Sequence, residues 1–281
     1  MDTRRSLIAE AAAALGAAGV ASPEYDADEL LAHVLGIGRQ ELVFVGAVAP
    51  DVSVRFWELV ARRVRREPLQ HLLGTAAFRY VELAVGPGVF VPRPETELLA
   101  GWAIERAREL EAPVVVDLCT GSGAIARALA DEAPHARIHA VELSEDAFGW
   151  AARNLADTGV DLRLGDLATA FDDLLGTVDI VVSNPPYVPL DAWESVAPEA
   201  RDHDPHLALF SGDDGLDAIR TLASRGAQLL RPGGVIGVEH ADVQQVVAPE
   251  AFARTGHWQE IRDHCDLADR PRYLTARRVT R

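Results

Sequence analysis

The stretch Asn184-Pro185-Pro186-Tyr187 has the residue types needed to hold and orient a planar NH₂ group. The asparagine side chain offers one acceptor and two donors, and each proline leaves a carbonyl acceptor without an N–H of its own. Two acceptors can hold an amide or an exocyclic amine while the tyrosine ring lies flat against its face. This arrangement suits the transfer of a group onto a planar nitrogen. The alternative is an Asn-Pro turn that only closes a strand.

The apolar run Val178–Ser183 stands directly before Asn184 and predicts a buried strand. In open α/β sheets, ligands bind at the carboxyl ends of the strands. The strand would therefore deliver the asparagine, the prolines and the tyrosine to a ligand-binding edge.

A second group of residues lies upstream, in a glycine-rich turn. Val114–Leu118 predicts a short buried strand, Cys-Thr-Gly-Ser-Gly follows at 119–123, and a helical pattern begins at Ala124. Strand, turn and helix together form a nucleotide-binding crossover, in which small residues allow the backbone to approach a ligand closely. A P-loop is excluded, because the chain has no Gly-Lys-Ser/Thr and no lysine.

Acidic residues follow the next two predicted strands. Glu142 ends the strand that begins at Arg137 and lies 19 residues beyond Gly123, the spacing at which a carboxylate accepts hydrogen bonds from ribose hydroxyls. Asp166 follows the strand 161–164 and can bind the amino group of an adenine, with Leu167 covering the ring. The alternative for Asp166 is a helix N-cap.

Together these motifs resemble the Rossmann-like methyltransferases that depend on S-adenosylmethionine. Asn-Pro-Pro-Tyr is shared by enzymes that methylate planar nitrogens, among them DNA adenine, cytosine-amine and protein glutamine methyltransferases. The segments Pro68–Gly74, Gly88–Glu97 and Asp266–Arg272 narrow the resemblance to the release-factor glutamine methyltransferase family of HemK/PrmC type. It runs from about Leu30 to the C-terminus, and it departs at Cys119, where the family commonly has glycine.

The resemblance implies an enzyme of translation termination that methylates the side-chain amide of the Gly-Gly-Gln glutamine in bacterial peptide chain release factors. S-adenosyl-L-methionine would be the cofactor, and no metal is implied. The catalytic residues would be Asn184, Pro185 and Tyr187, with Pro186 added for substrate binding. The asparagine oxygen and the Pro185 carbonyl would accept the two N–H groups of the amide. The implied cofactor-binding residues are Asp117, Cys119, Thr120, Gly121, Ser122, Gly123, Glu142, Asp166, Leu167 and Asn184.

Composition and charge bear on the substrate. The chain has 281 residues, 48% hydrophobic content and a net charge of −16. This charge weighs against a nucleic-acid methyltransferase, which must neutralise phosphates. The basic cluster Arg62–Arg66 is interpreted as a solvated helix face, with a docking patch for an acidic protein or RNA as the alternative. Cys119 and Cys265 are expected to be free thiols, and His203 and His206 to lie in a polar surface loop rather than form a ligand pair.

The N-terminal segment imitates a signal peptide, with Arg4-Arg5 before an apolar run. Glu10 interrupts that run, and Leu7, Ile8, Ala11 and Leu15 fall on one helical face, so an amphipathic helix is predicted. No stretch approaches the roughly 20 apolar residues of a membrane span. The expected protein is a cytoplasmic monomer that binds neither DNA nor membrane.

The predicted fold is α/β, a Rossmann-like seven-stranded methyltransferase sheet with a small all-helical N-terminal domain. The predicted domains are 1–74 (helical, substrate recognition), 75–92 (β-hairpin linker, bent at Gly86-Pro87-Gly88) and 93–281 (methyltransferase). Helices are expected at 23–36, 39–45, 53–66, 68–73 and 94–110. Strands are expected near 113–118, 137–142, 160–164, 178–183 and 234–239, with a closing antiparallel pair at 258–262 and 272–279.

Three alternative functions remain open. A glutamine methyltransferase acting on a ribosomal protein would share almost every motif. A nucleic-acid amine methyltransferase is weakened by the charge and by the lack of a target-recognition insertion. A non-catalytic cofactor-sensing protein is disfavoured because Asn-Pro-Pro-Tyr is intact.

Overall fold

The computed structural model describes residues 3–280, and the contacts divide the chain into two units. The smaller unit comprises the chain up to Thr75 together with Ala197–His203, and the larger unit comprises Ala76–Val196 and the chain from Asp204 onward. Residues 1, 2 and 281, which open the first predicted domain and close the last, lie outside the described residues. No helix within residues 3–280 is long and apolar enough to cross a membrane.

The smaller unit is helical around its own apolar core. Its helices are Arg4–Ala17, Pro23–Leu35, Pro50–Val64, Leu69–Leu73 and Pro198–His203, with a 3₁₀ helix at Arg39–Phe44. In the first helix Leu7, Ala11 and Leu15 are buried, which confirms the predicted amphipathic helix. The helix predicted at 53 begins three residues earlier, because Pro50 occupies the first helical position, where its missing N–H costs nothing.

The basic cluster Arg62–Arg66 forms ion pairs inside this unit. The pairs are Arg62–Glu67, Arg63–Asp26, Arg63–Glu199 and Arg66–Glu199. Arg63 is only 6% exposed, and both of its carboxylate partners lie within 3.0 Å. The solvated-face interpretation was therefore wrong for Arg63 and Arg66, whereas Arg62 is partly exposed and pairs with the nearby Glu67. Glu199, the shared partner of Arg63 and Arg66, lies 133 residues or more away in the chain, so the periodicity of the helix could not reveal it.

The larger unit is built on a seven-stranded sheet with the order β5-β4-β3-β6-β7-β9-β8. The strands are β1 Thr75–Phe78, β2 Val81–Ala84, β3 Val114–Leu118, β4 Arg137–Glu142, β5 Asp161–Leu164, β6 Val178–Ser183, β7 Leu230–Glu239, β8 Trp258–Cys265 and β9 Pro271–Arg278. β3 to β7 run parallel, while β9 pairs antiparallel with β7 and with β8. All seven strands predicted for the sheet, including the two of the closing antiparallel pair, are confirmed.

Helices cover the sheet and seal two apolar clusters. They are Thr96–Arg108, Ala124–Glu132, Glu145–Leu155, His206–Leu209, Asp217–Leu229 and Val247–Ala253, with 3₁₀ helices at Asp172–Leu174, Leu190–Ser195 and Asp242–Gln244. β3 is buried along its whole length, as expected for a central parallel strand covered on both faces.

The hairpin was predicted with the wrong turn. Its strands are β1 and β2, and the chain reverses at Arg79-Tyr80 rather than at Gly86–Gly88. Arg79 has a φ of +52°, a conformation that usually favours glycine. The Arg79 guanidinium donates two hydrogen bonds to Glu132, at 2.5 and 2.8 Å. An ion pair between residues distant in the sequence thus stabilises this turn. The residues Arg79-Tyr80 are not typical turn residues, so the local sequence does not predict the turn.

Candidate active site

The predicted site segments follow neighbouring strands at one edge of the sheet. In the strand register Leu118 of β3 pairs with Val141 of β4 and with Ser183 of β6. Glu142, the last residue of β4, pairs with Leu164 of β5. The glycine-rich turn, Glu142, Asp166 and Asn184 therefore all follow strand ends at the carboxyl edge of the sheet.

The glycine-rich turn is left-handed at three positions. The φ angles are +66° at Cys119, +59° at Gly121 and +85° at Gly123. No atom lies within 4 Å of the place where a Cβ on Gly121 would stand, so the turn faces open space there. Such a bare, open backbone next to an acidic strand end fits an adenosyl cofactor. The first turn of the helix Ala124–Glu132 follows directly.

Cys119 is a non-glycine residue in a conformation that glycine adopts freely. The left-handed region costs other residues roughly 1–2 kcal/mol. Burial raises the pKa of the Cys119 thiol well above its usual value, and the nearby Glu142 carboxylate adds to this. The side chain is therefore a neutral thiol, so a role as a nucleophile is not indicated.

Asp117, in β3, stabilises the glycine-rich turn through a side-chain hydrogen bond. It is fully buried, and its Oδ2 accepts a hydrogen bond from the Thr120 hydroxyl at 2.6 Å. Burial raises the pKa of Asp117 to about 7, against the lowering effect of the bond from Thr120. The two residues thus fix the shape of the turn. A direct contact of either residue with the cofactor stays a prediction.

Asn154, in the helix Glu145–Leu155, supports the turn, and sequence reasoning missed it. Its Nδ2 donates to the carbonyl of Ser122 and to that of Ala84, both at 2.9 Å. Its Oδ1 accepts from the N–H of Ala84 at 2.8 Å. One amide therefore fastens the glycine-rich turn to β2. Asn154 is the second-last residue of the helix Glu145–Leu155, where an asparagine is ordinary, so the sequence carries no local signal that could have drawn attention to it.

Glu142 has a structural role in addition to its predicted role of binding ribose hydroxyls. Its Oε2 accepts from the N–H of Gly121 and its Oε1 from the N–H of Ser144, each at 2.8 Å. Burial raises the pKa of this carboxyl. Each carboxylate oxygen can accept more than one hydrogen bond, so acceptor capacity for ribose hydroxyls is left.

Asp166 caps a turn. It is exposed, and its Oδ1 accepts from the N–H of Ala168 at 2.8 Å while its carbonyl accepts from Ala170. This capping bond is the one proposed as the alternative, although a turn follows instead of a helix. Leu167 is half-buried against the apolar cluster. Adenine binding by these two residues stays a prediction.

Asn184 belongs to a buried hydrogen-bonded network. Its Nδ2 lies 3.1 Å from the Thr96 hydroxyl, which donates to Oε2 of Glu239 at 2.7 Å. The hydroxyl of Tyr187 donates to Oε1 of the same carboxylate at 3.2 Å. Burial raises the pKa of Glu239 to about 7, while Thr96, the Arg272 charge and Tyr187 lower it. The four members come from three separate segments of the chain, because Asn184 and Tyr187 belong to the same Asn-Pro-Pro-Tyr stretch.

Sequence reasoning missed the roles of Thr96 and Glu239. Glu239 ends β7 at the same carboxyl edge as Glu142 and Asn184, and that position was the available signal. Thr96 lies in Gly88–Glu97, the segment that carried part of the family resemblance. Arg93 of that segment pairs instead with Asp204, at 2.7 Å.

Tyr187 is fixed through its main chain as well as its hydroxyl. Its N–H donates to Leu209 at 3.1 Å, and its carbonyl accepts from Nε2 of Gln244 at 3.0 Å. A Cβ on Gly215 would lie 2.4 Å from the Tyr187 carbonyl, so only glycine fits there. Burial raises the pKa of the tyrosine hydroxyl well above its usual value. Pro185 is buried and Pro186 half-buried. Packing of the ring on a substrate amide stays a prediction.

The histidines were predicted in a loop, but they lie in short helices. His203 ends the helix Pro198–His203 and His206 begins His206–Leu209. The ring of His206 lies 4.8 Å from that of Trp193. Within residues 3–280 no group of His, Cys, Asp or Glu side chains could hold a metal ion.

Comparisons with known proteins extend over the whole chain. The family models described as PrmC N-terminal domain and Methyltransferase small domain match residues 6–74 and 95–198. The catalytic domain of hMettl16, bound to a MAT2A 3′UTR hairpin, has a TM-score of 0.56 at 14% identity, covering 84% of this chain and 85% of that one. A methyltransferase from Pyrococcus furiosus has a TM-score of 0.52 at 17% identity, covering 78% and 98%. Both structures share the fold.

Curated relatives are much more similar. A release factor glutamine methyltransferase from Streptomyces coelicolor is 59% identical over 97% of each chain, and one from Mycolicibacterium smegmatis is 48% identical over all of both chains. A 4-amino-L-phenylalanine/4-methylamino-L-phenylalanine methyltransferase from Streptomyces pristinaespiralis is 43% identical over 89% of this chain and 87% of its own. At 59% identity over nearly the full length, the chain belongs to the release factor glutamine methyltransferase family.

Proposed function

We propose that this protein transfers a methyl group from S-adenosyl-L-methionine to the side-chain amide nitrogen of the Gly-Gly-Gln glutamine in bacterial peptide chain release factors. The observation that carries the proposal is the Asn184 amide, held by Thr96 at the sheet edge that also carries the glycine-rich turn. The names of the relatives at 42–59% identity point to the same substrate.

The cofactor side of the site supplies binding and orientation. Gly121 and Gly123 leave the backbone bare, and Glu142 offers a carboxylate to ribose hydroxyls. When bound, S-adenosylmethionine supplies a methyl on a sulfonium sulfur, and its transfer breaks the sulfur–carbon bond, forms a nitrogen–carbon bond and releases one proton from nitrogen.

The substrate side must align a poor nucleophile. The lone pair of a glutamine amide nitrogen is delocalised into its carbonyl, so the amide plane has to be fixed before reaction. The Asn184 oxygen and the Pro185 carbonyl would accept the two N–H groups and stabilise the positive charge that develops on nitrogen. A strong general base is not required, because an N-protonated amide is very acidic.

The alternatives differ in the group that presents the nitrogen. The relative named for 4-amino-L-phenylalanine shows that a similar chain can be assigned to a free aromatic amine. A ribosomal-protein glutamine would satisfy the same acceptors. The net charge of −16 disfavours a nucleic acid. We further propose that the protein acts as a monomer in the cytoplasm and does not bind DNA or membranes.

The test is incubation of the protein with labelled S-adenosylmethionine and one acceptor at a time. The acceptors are a release factor, the same factor with the Gly-Gly-Gln glutamine changed to glutamate, ribosomal proteins, 4-amino-L-phenylalanine and DNA. We expect one methyl on the glutamine of the release factor and none on the glutamate variant. Label in another acceptor with an unlabelled release factor would overturn the proposal.

A further inference from the structure

An asparagine amide has an acceptor end and a donor end of nearly the same size and shape. The proposed reaction uses only the acceptor end of Asn184, because the substrate presents N–H groups. If the amide were rotated by 180°, two N–H groups of the enzyme would face two N–H groups of the substrate. Some other part of the structure must therefore decide which end faces the substrate.

The hydrogen-bonded network of Thr96, Glu239 and Tyr187 next to Asn184 can fix this orientation. Glu239 is 2% exposed, and when ionised it accepts hydrogen bonds and donates none. Its two oxygens face two hydroxyls, Thr96 at 2.7 Å and Tyr187 at 3.2 Å, so both hydroxyls must donate to it. Burial opposes the ionised form and raises the pKa of Glu239 to about 7, the bonds from the two hydroxyls and the positive charge of Arg272 favour it, and at pH 8 the carboxyl is mostly ionised.

The donor and acceptor direction of these bonds also determines which end of the Asn184 amide faces Thr96. A threonine hydroxyl has a single proton, and in Thr96 that proton points to Glu239. The side of the hydroxyl that faces Asn184, 3.1 Å away, can then only accept. The asparagine must place its NH₂ group there, which leaves Oδ1 on its other side.

We infer that Thr96 and Glu239 are positioning residues that orient the Asn184 amide with its oxygen toward the substrate. The inference rests on the proposed methyl transfer and names two residues that serve it without touching the reacting atoms. Thr96 is 4% exposed at the start of the helix Thr96–Arg108, and Glu239 is the last residue of β7. Both are held by regular secondary structure, which keeps the network rigid.

Replacement of Thr96 tests the inference. Thr96→Val keeps the shape but removes the hydroxyl, so both orientations of the amide become accessible. We expect the single-turnover rate of methyl transfer at pH 8 to fall by about 10- to 100-fold, as for a small misalignment of a reacting group. Thr96→Ser should restore most of the rate. The affinity for S-adenosylmethionine should change less than threefold in both variants.

A matched control is available on β9. Thr275 is also a buried threonine whose hydroxyl bonds to a side chain, His264 at 2.8 Å. Thr275→Val removes a comparable hydrogen bond from the seven-stranded sheet and should leave the rate near that of the wild type. If Thr96→Val fails to fold, as judged by cofactor binding, Thr96→Ala compared with Thr96→Ser gives the same measurement.

A double-mutant cycle separates positioning from packing. In an Asn184→Ala background no amide remains to be oriented, so Thr96→Val should lower the rate no further. An equal loss in both backgrounds, or a wild-type rate in Thr96→Val, would overturn the inference. These outcomes leave the proposed function standing, because that function fails only if the wild-type protein does not methylate the release factor.

Discussion

The two halves of the carboxyl edge hold their functional groups in different ways. In the cofactor half, Cys119–Gly123 is shaped by left-handed backbone angles and anchored through main-chain N–H groups, such as that of Gly121 to Glu142. In the substrate half, Asn184 is held by a chain of side-chain hydrogen bonds through Thr96 to Glu239. The first half depends on backbone shape and the second on the direction of its hydrogen bonds.

This difference predicts different sensitivities to mutation. A backbone-built turn can lose one side chain and keep most of its N–H groups in place. In a network of side-chain hydrogen bonds, each bond fixes the donor and acceptor direction of the next one. Removal of a single hydroxyl therefore frees the orientation of the remaining side chains. Mutations in the substrate half should therefore lower the rate of methyl transfer, whereas mutations in the cofactor half should lower the affinity for S-adenosylmethionine.

The largest expected effect belongs to Asn184→Ala, which removes the acceptor that faces the substrate. We expect methyl transfer to slow by about 100-fold or more, as for the loss of one preorganised polar group at a reacting centre. A single-turnover assay at saturating cofactor and release factor measures this step. Cofactor affinity, measured by calorimetry, should fall much less. If Asn184→Ala transfers the methyl group at the wild-type rate, Asn184 is only a turn residue and the proposed difference between the two halves is wrong.

Glu142→Ala should have the opposite profile. The loss of charged hydrogen bonds to ribose should weaken binding of S-adenosylmethionine by about 1.5–3 kcal/mol per bond. The loss of the bond to Gly121 adds to the effect by loosening the turn. Glu111→Ala, an exposed carboxylate before β3, is the control for the change in net charge. If Glu142→Ala leaves the affinity unchanged, the ribose site lies elsewhere.

Asp117 in the cofactor half and Glu239 in the substrate half are both buried carboxyls, and both should make stability depend on pH. Burial raises the pKa of Asp117 and of Glu239 to about 7, whereas both ionise near 4 in an unfolded chain. Between these values the folded protein keeps protons that the unfolded chain has lost. The contribution of these two carboxyls to the free energy of unfolding should therefore fall as the pH rises from about 4 to 7, by on the order of 3–4 kcal/mol per carboxyl. Denaturant titrations at several pH values measure this slope.

Glu239→Gln removes the contribution of Glu239 and leaves those of Asp117 and of Glu142, whose pKa burial also raises. The slope should become shallower in this variant, and the remaining part reports on the cofactor half. If the wild-type and variant curves are parallel, Glu239 ionises in the folded protein as it does in water, and burial does not control it.

The smallest expected effect concerns Cys119. Cys119→Gly relieves the left-handed strain but adds chain entropy to the unfolded state, so the free energy of unfolding should change by less than about 1 kcal/mol. Cys119→Val should lower it by about 1–3 kcal/mol, since a β-branched residue fits φ = +66° poorly. Thermal unfolding of both variants measures the difference. Equal stability of the two would show that backbone shape does not govern this half.

The sequence by itself determined the sheet and the motifs at its edge. β3 and β6 each appear in the sequence as a short apolar run followed by a functional segment, because a central parallel strand is buried on both faces. The carboxyl ends of such strands share one edge, so Asn184, Glu142 and Asp166 could be placed together from their order alone. The terminal antiparallel pair could be predicted for the same local reason.

Only the tertiary structure decided the contacts between distant side chains. Thr96 and Glu239 lie 143 residues apart, and Arg66 and Glu199 lie 133 apart. The turn at Arg79 is held by an ion pair with Glu132, 53 residues away. No periodicity or turn rule encodes such pairs, because they form only when folding brings separate segments within about 3 Å of each other. The inferred orientation of the Asn184 amide depends on one of these contacts, so the sequence predicts which residue holds the substrate amide but not which end of its side chain faces it.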